Sequence, residues 1–413
     1  MAIVQVSGVD ARNSAAVFAL TILASISMAH ASSFKVLHAF SGPGDGCYPA
    51  SGSLIIDARN DLYGTTVGDT CGDGYGTVFE VAPNGAESVL YTFPGRSAGA
   101  SPEALVMDEK GNLWGTTFDG GDNYGQGLIF EINTHGHESV IHTFSGSPND
   151  GCDAQAAMVA DSNGNFYGTA WGCGKYGYGA VYKLAASGKE SLLYSFRGGH
   201  DGFDPFAGLV VDPFGNFYGT TGYGGRAHIN CDDFSGCGTV FELTPNGTKT
   251  PLYKFKGPPK DGERLFGNVI IGTNGNMYGT TNGGGRAGCT ADEGCGIVFE
   301  LARGGTEAVL HYFAGERSDG GNPAAGLISD IAGNMYGTTQ YGAGAYPCNG
   351  ADGCGTVFEI APDGTEAILH KFKESTDGAN PPAGLVADGK GHFFGTAYEG
   401  GKYGYGTVFE ITP

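Results

Sequence analysis

Seven letters, GNMYGTT, occur twice without change, at Gly275–Thr281 and Gly333–Thr339. Near copies begin at Gly111 (GNLWGTT), Gly164 (GNFYGTA) and Gly215 (GNFYGTT), and looser ones at Asn60 (NDLYGTT) and Gly391 (GHFFGTA). Aligned on their aromatic they give Tyr63, Trp114, Tyr167, Tyr218, Tyr278, Tyr336 and Phe394, spaced 51, 53, 51, 60, 58 and 58 residues apart. A period of this length means one supersecondary unit stacked many times. Each period holds four short runs rich in Val, Phe, Tyr and Thr and bounded by Gly, Asp, Asn or Pro. In the fourth copy they are Ala207–Asp212, Asn216–Thr221, Gly238–Leu243 and Pro251–Phe255, here termed strands A to D. Four antiparallel strands repeated seven times predict an all-β, seven-bladed β-propeller.

Composition agrees. Gly, at 76 of 413 residues, shows no three-residue period, which excludes collagen, and 12% aromatic residues supply burial that a disordered chain lacks. The formal charge of −21 argues against nucleic acid or an anionic membrane surface as partner.

The two ends fit the ring. Arg12 precedes the apolar run Ala15–Ala29, and Ala29–Ala31 (AHA) offers a small-residue cleavage site. Residues 1–31 therefore read as a cleaved signal peptide and 32–413 as one propeller domain, secreted to the periplasm or beyond. No later run is long enough to span a membrane. The first mature strand, Phe34–Phe40, matches strand D, and the last, Gly406–Pro413, matches strand C. The N-terminus is thus expected to complete blade seven and to remove the open sheet edge.

The repeated letters have structural roles. Asp57, Asp108, Asp161, Asp212, Asp330 and Asp388 end strand A and accept backbone hydrogen bonds in a tight turn, with Gly272 in their place in the fifth copy. The aromatic of YGTT is expected to pack against the next blade, and the following Gly to allow a ring to come close.

Ten Cys fall into two groups. Cys231–Cys237, Cys289–Cys295 and Cys348–Cys354 are short pairs within B–C loops. Cys47 and Cys152 lie in D–A loops and Cys71 and Cys173 in the B–C loops of the same blades, so Cys47–Cys71 and Cys152–Cys173 are expected to pair. The short spacing lies outside the usual zinc pattern, and an exported chain favours bridges. All five staple one face of the ring.

Candidate ligand-binding residues sit in those loops. Arg226 and Arg286 occupy equivalent positions and could hold a carboxylate or sugar hydroxyls, with His228 nearby. Asp232, Asp233, Asp292, Glu293 and Asp352 offer oxygen ligands for calcium, although no EF-hand string is present. A second candidate is the D–A series Asp45, Asp150, Asp201, Asp261, Asp319 and Asp377, which would attract a cation if it ringed the channel mouth; turn formation explains it equally. His38, His142, His311 and His370 share a strand-D position with Tyr91, Tyr194 and Tyr253, an interchange that reads as packing. No nucleophile elbow or HExxH string occurs.

The unit AGLVxD…GNxYGTTxxGG…GYGTVFExxPxGxE resembles the GloVer-type tandem repeat of bacterial choice-of-anchor exported proteins, over nearly all of Phe34–Pro413. The resemblance implies export and carries over no catalytic residue. The sequence shows no C-terminal anchor segment, in which it departs from that family. At fold level the A–B pattern is also similar to NHL and gluconolactonase-like propellers, the latter holding one metal on unique acidic and Asn ligands; no such set stands out here. The expected function is a monomeric binding module for carbohydrate or a cell-envelope partner. The alternative is an extracellular lyase, lactonase or glycosidase using carboxylates, with calcium, on the stapled face.

Overall fold

In the computed structural model, residues 32–42, 44–68, 75–121, 125–225, 231, 236–286, 294–315, 319–342, 348 and 353–413 are described. Seven four-stranded antiparallel sheets form the blades of a β-propeller, each with neighbours in the order A-B-C-D. In the fourth, Val210–Val211, Phe217–Thr221, Thr239–Leu243 and Lys249–Lys254 pair in sequence. The seventh consists of Val386–Ala387, Phe393–Ala397, Thr407–Thr412 and the N-terminal strand Ser33–Ala39. Ser33 lies opposite Thr412 and Ala39 opposite Thr407, so the expected closure is present. Among the described residues the helical content is a single turn at Glu374–Asp377 and two short 3-10 turns. No helix there is long and apolar enough to cross a membrane.

The innermost strands are shorter than their sequence runs. Only two residues of each strand A join the ladder, except in the second blade, where Ala100–Met107 pairs with a bulge between Pro102 and Leu105. Seven strands converging on one axis leave no room for long ladders, so the residues before each strand A turn toward the axis instead.

YGTT is the joint between blades. The tyrosine hydroxyl donates to the turn Asp of its own blade, at 3.1 Å for Tyr167–Asp161, Tyr218–Asp212 and Tyr336–Asp330. Its ring packs on the next blade, with centroids 4.4 Å apart for Tyr167–Phe217 and 4.3 Å for Tyr336–Phe393. The Gly lies against the strand-C aromatic: a Cβ on Gly337 would fall 2.6 Å from Phe358 Cζ. The first Thr donates to a carbonyl of the next blade, as Thr169 to Ala207 at 2.9 Å and Thr338 to Ala383 at 2.9 Å. The second Thr pairs with the Thr of its own strand C, as Thr339 with Thr356 at 2.8 Å. The Phe directly after strand D adds an edge-to-face contact to the strand-C ring of the next blade, repeated around the circle from Phe40–Phe79 at 5.1 Å to Phe372–Phe409 at 5.2 Å.

Candidate functional site

Short backbone bridges tie each D–A segment to the B–C segment of the same blade. Examples are Pro49 with Thr66, Cys152 with Gly172 and Ala379 with Glu399. The two loop sets therefore share one face. Cys152–Cys173, Cys231–Cys237 and Cys348–Cys354 are bridged there, with Cα separations of 5.4, 5.3 and 5.4 Å. Cys47 and Cys295 are also disulfide-bonded. Cys71 and Cys289, their expected partners, lie outside the described residues.

A cavity of about 570 Å³ occupies the axis and takes lining residues from all seven blades, among them Ser51, Ala104, Gln155, Phe206, Phe266, Ala324 and Pro382. Five of these side chains, Gln155, Phe206, Phe266, Ala324 and Pro382, come from one structural position. Each run into strand A contains a non-glycine residue of positive φ: Ser101, Asp153, Asp204, Arg264, Asn322 and Asn380 in blades two to seven. The residue two places later is Glu103, Gln155, Phe206, Phe266, Ala324 and Pro382. Along strands B and C the copies keep one pattern; at the axis they diverge. Small residues keep the blades close here: a Cβ on Gly52 would lie 2.5 Å from the Glu103 carbonyl, and one on Gly267 2.4 Å from Ala325.

Two features of this region have chemical potential. The first is an arc of half-buried rings across blades two to five. Phe118 and Trp171 are parallel with centroids 6.4 Å apart, Trp171 and Phe206 are stacked at 5.3 Å, and Phe206 meets Phe266 edge-on at 5.2 Å. Trp171 Nε1 has no hydrogen-bond partner among the described residues. The second is a group of carboxylates. Glu103 is only 9% exposed and accepts a hydrogen bond from Ser51 Oγ at 2.7 Å. Burial pushes its carboxyl up to about 7; the Ser51 hydrogen bonds act against this and Asp119 reinforces it. Burial, with Asp119 adding to it, pushes Asp153 up to about 6, and burial alone does the same to Asp204.

The sign of this shift gives a test. Between the unfolded value of 4.5 and about 7, native Glu103 holds a proton that the unfolded chain has released. Its contribution to stability is therefore full below that window and is lost as pH rises through it. Glu103→Gln is expected to lose less stability than the parent between about pH 5 and pH 8, measured by urea unfolding at both. Equal losses would contradict the assignment.

The residues singled out in the sequence lie apart from the axis or outside the described residues. Arg226, His228, Asp232, Asp233, Asp292, Glu293 and Asp352 are in the latter group. Arg286 is exposed and stands over the Tyr312 ring of strand D, 4.8 Å from its centroid. The D–A carboxylates do not line the axial cavity. Each caps its own outer strand D instead. Asp45 bonds His38 at 2.9 Å, Asp150 bonds His142 at 3.1 Å, and Asp377 bonds His370 at 3.0 Å. Asp201 accepts from Tyr194 at 2.9 Å and Asp261 from Tyr253 at 2.9 Å, while Asp319 lies 3.6 Å from His311. The Asp is drawn to strand D because it also accepts the backbone N–H just past that strand, as from Ser145 at 2.8 Å and Lys256 at 3.0 Å. The strand-D His residues pack as expected, His38 edge-on to Phe40 at 4.9 Å, and in addition hold these carboxylates. Sequence reading missed Glu103, Phe118, Asp153 and Trp171. The available signal was negative: these are positions at which the seven copies share no common residue.

A seven-bladed propeller with one diversified axial site on a stapled face is the class that fold and site define. A profile of the Gloeobacter/Verrucomicrobia repeat matches residues 7–151, 66–230, 120–344 and 230–413, and the chain belongs to that family. Among solved structures, the chain is similar to PorZ, described as a surface component of the type-IX secretion system of Porphyromonas gingivalis. That match has 14% identity and a TM-score of 0.54, over 91% of this chain and 47% of that one. It is also similar to the extracellular domain of a putative one-component system, BT4673, of B. thetaiotaomicron, at 11% identity and a TM-score of 0.54, over 91% of this chain and 39% of that one. It thus spans less than half of either protein. A gluconolactonase of Xanthomonas campestris matches at 11% identity and a TM-score of 0.43, over 92% and 89% of the two chains. No curated protein matches the sequence. The two likenesses at a TM-score of 0.54 show the fold.

Proposed function

We propose that the protein is a secreted binding module whose axial site holds a neutral carbohydrate. The observation that carries this reading is the arc of rings Phe118, Trp171, Phe206 and Phe266, of which Phe206 and Phe266 line the axial cavity. Flat, half-exposed rings present apolar area to the C–H faces of a sugar. About 570 Å³ falls within the range of small-ligand sites. The chain's charge of −21 disfavours polyanions and leaves neutral glycans as the matching class. Secretion is supported by the apolar leader before Ser32 and by the disulfides.

The test is calorimetric titration of the purified protein with a panel of neutral oligosaccharides, repeated with Trp171→Ala. Removal of a central aromatic contact is expected to weaken binding roughly ten-fold or more. Equal affinity in the variant, or no heat with any glycan, would refute this reading. A second reading rests on Glu103. A carboxyl pushed up to about 7 by burial, with Asp119 adding to it, has the protonation behaviour of a general acid in a glycosidase, lyase or lactonase. Product formation from a bound glycan that ceases in Glu103→Gln, with binding retained, would favour the enzyme.

A further inference from the structure

Seven junctions link the blades at the rim, and six of them use the same three positions: the strand-D His or Tyr of one blade, the Asp that follows it, and the residue opening strand D of the next blade; the junction between blades one and two has no such Asp. In three junctions these positions assemble an imidazole and two carboxylates: His38, Asp45 and Glu87; His142, Asp150 and Glu190; His311, Asp319 and Glu366. In each, one ligand atom per residue lies within 4.8 Å of the other two. We propose that these three junctions bind a divalent transition metal such as zinc, each ion clamping two neighbouring blades.

The chemistry of the donor set is the first argument. One imidazole nitrogen and two carboxylate oxygens are standard zinc ligands, drawn in to about 2 Å, and leave a fourth position for water. With every thiol of the described residues in a disulfide, no cysteine competes there for the ion. The His side chains are 16–22% exposed across the strand-D series, which gives an ion a way in.

The second argument is an unmet need. Oε1 of Glu87, Glu190 and Glu366 is buried, and no hydrogen-bond donor among the described residues reaches it; His311 Nε2 is in the same condition. Buried acceptors left in this state are costly, and two adjacent carboxylates add repulsion. Oε1 of Glu138 and Glu307, in junctions without the full set, is in the same condition, so the orphan atom belongs to the strand-D Glu position in general; the three junctions add to it a second carboxylate and an imidazole.

The third argument comes from three further junctions that keep the Asp but lack the set, because each neutralises the Asp by other means. Between blades three and four, Tyr194 replaces the His and Lys249 replaces the Glu. The Lys249 ammonium, 2% exposed, sits 3.0 Å from Asp201 Oδ1, so the chain itself supplies a cation. Between blades four and five Tyr253 replaces the His and donates to Asp261 at 2.9 Å and toward Glu307 at 3.4 Å. Between blades six and seven Phe34 takes the Glu position and stacks on His370 at 3.5 Å, leaving one carboxylate with one imidazole. Only the His-Asp-Glu junctions retain two carboxylates with no cation or phenol between them.

The experiment is to strip the untagged protein with chelator, load it with zinc chloride, remove free ion by gel filtration and measure bound zinc by atomic absorption. Three zinc ions per chain are expected, one per His-Asp-Glu junction. Glu190→Gln should lose one of the three, and the triple variant Glu87→Gln/Glu190→Gln/Glu366→Gln should lose all of them. Glu307→Gln, in a tyrosine junction, should lose none. Zinc should also raise the melting temperature of the parent and not that of the triple variant. Retention of less than one ion by the parent, or undiminished zinc in the variants, overturns the proposal. If the triple variant fails to fold, the comparison of Glu190→Gln with Glu307→Gln decides it.

Discussion

Phe40→Ala is expected to destabilise the protein by about 3–5 kcal/mol, the range for truncating a fully buried Phe. Phe40 is 0% exposed and lies in one apolar cluster with Leu54, Leu62, Phe79, Val81, Phe394 and Val408. That cluster joins the first blade to the last. Phe40 meets Phe79 edge-on at 5.1 Å, and its backbone N–H donates to the Gly406 carbonyl at 3.0 Å. Removing the ring therefore opens a cavity at the one junction where strands from the two ends of the chain meet. Each other junction has its own copy of this contact and cannot collapse into the space. Urea unfolding should show a lower midpoint at unchanged slope. Phe214→Ala is the control: Phe214 is 87% exposed, and its loss should fall within about 0.5 kcal/mol of zero. A Phe40→Ala effect as small as the control's would mean that the closing strand contributes little to holding the ring.

Gly337→Ala should cost at least about 1–3 kcal/mol, the usual penalty of overpacking. The cause is space and not backbone conformation. A Cβ would lie 2.6 Å from Phe358 Cζ and 3.0 Å from Leu327 Cδ2, and both partners are buried in the same cluster. Neither side chain has room to withdraw, since Phe358 is also held edge-on by Phe313 at 5.1 Å. The same contact recurs at Gly64, Gly115, Gly219, Gly279 and Gly395, which explains why no copy of the motif replaces this residue. Phe358→Leu should cost less in the Gly337→Ala background than in the parent, because the smaller side chain relieves the clash. A double-mutant cycle with no coupling would show that the glycine is kept for another reason.

Much of the blade was legible because its determinants are local and repeated seven times. The turn Asp shows how far that reading goes. A carboxylate before Gly-Asn implies an Asx turn, and Asp212 accepts from the N–H groups of Phe214 at 2.8 Å and Asn216 at 2.9 Å. The short inner ladders were not legible, since Ala207–Asp212 has strand composition throughout while only Val210–Val211 pairs. Crowding at the axis sets that length, and crowding is a property of the closed ring.

The D–A carboxylates mark the same boundary. Asp-Gly after strand D identified a turn, but its side chain could point inward to the axis or outward to the rim. The strand-D side chain and the backbone N–H just past that strand decided it, as for Asp150 with His142 at 3.1 Å and the Ser145 N–H at 2.8 Å.

From the sequence alone came the seven blades, the closure by Phe34–Phe40 and the stapled face, since each follows from strand periodicity, turn chemistry and cysteine placement within one or two repeats. Only the tertiary structure brought Ser51 to Glu103 and set Phe118, Trp171 and Phe206 in one arc. Those residues stand in different blades, at positions where the copies do not repeat, and nothing local links them. They meet because seven twisted sheets, packed side by side, bring their inner edges to a common axis.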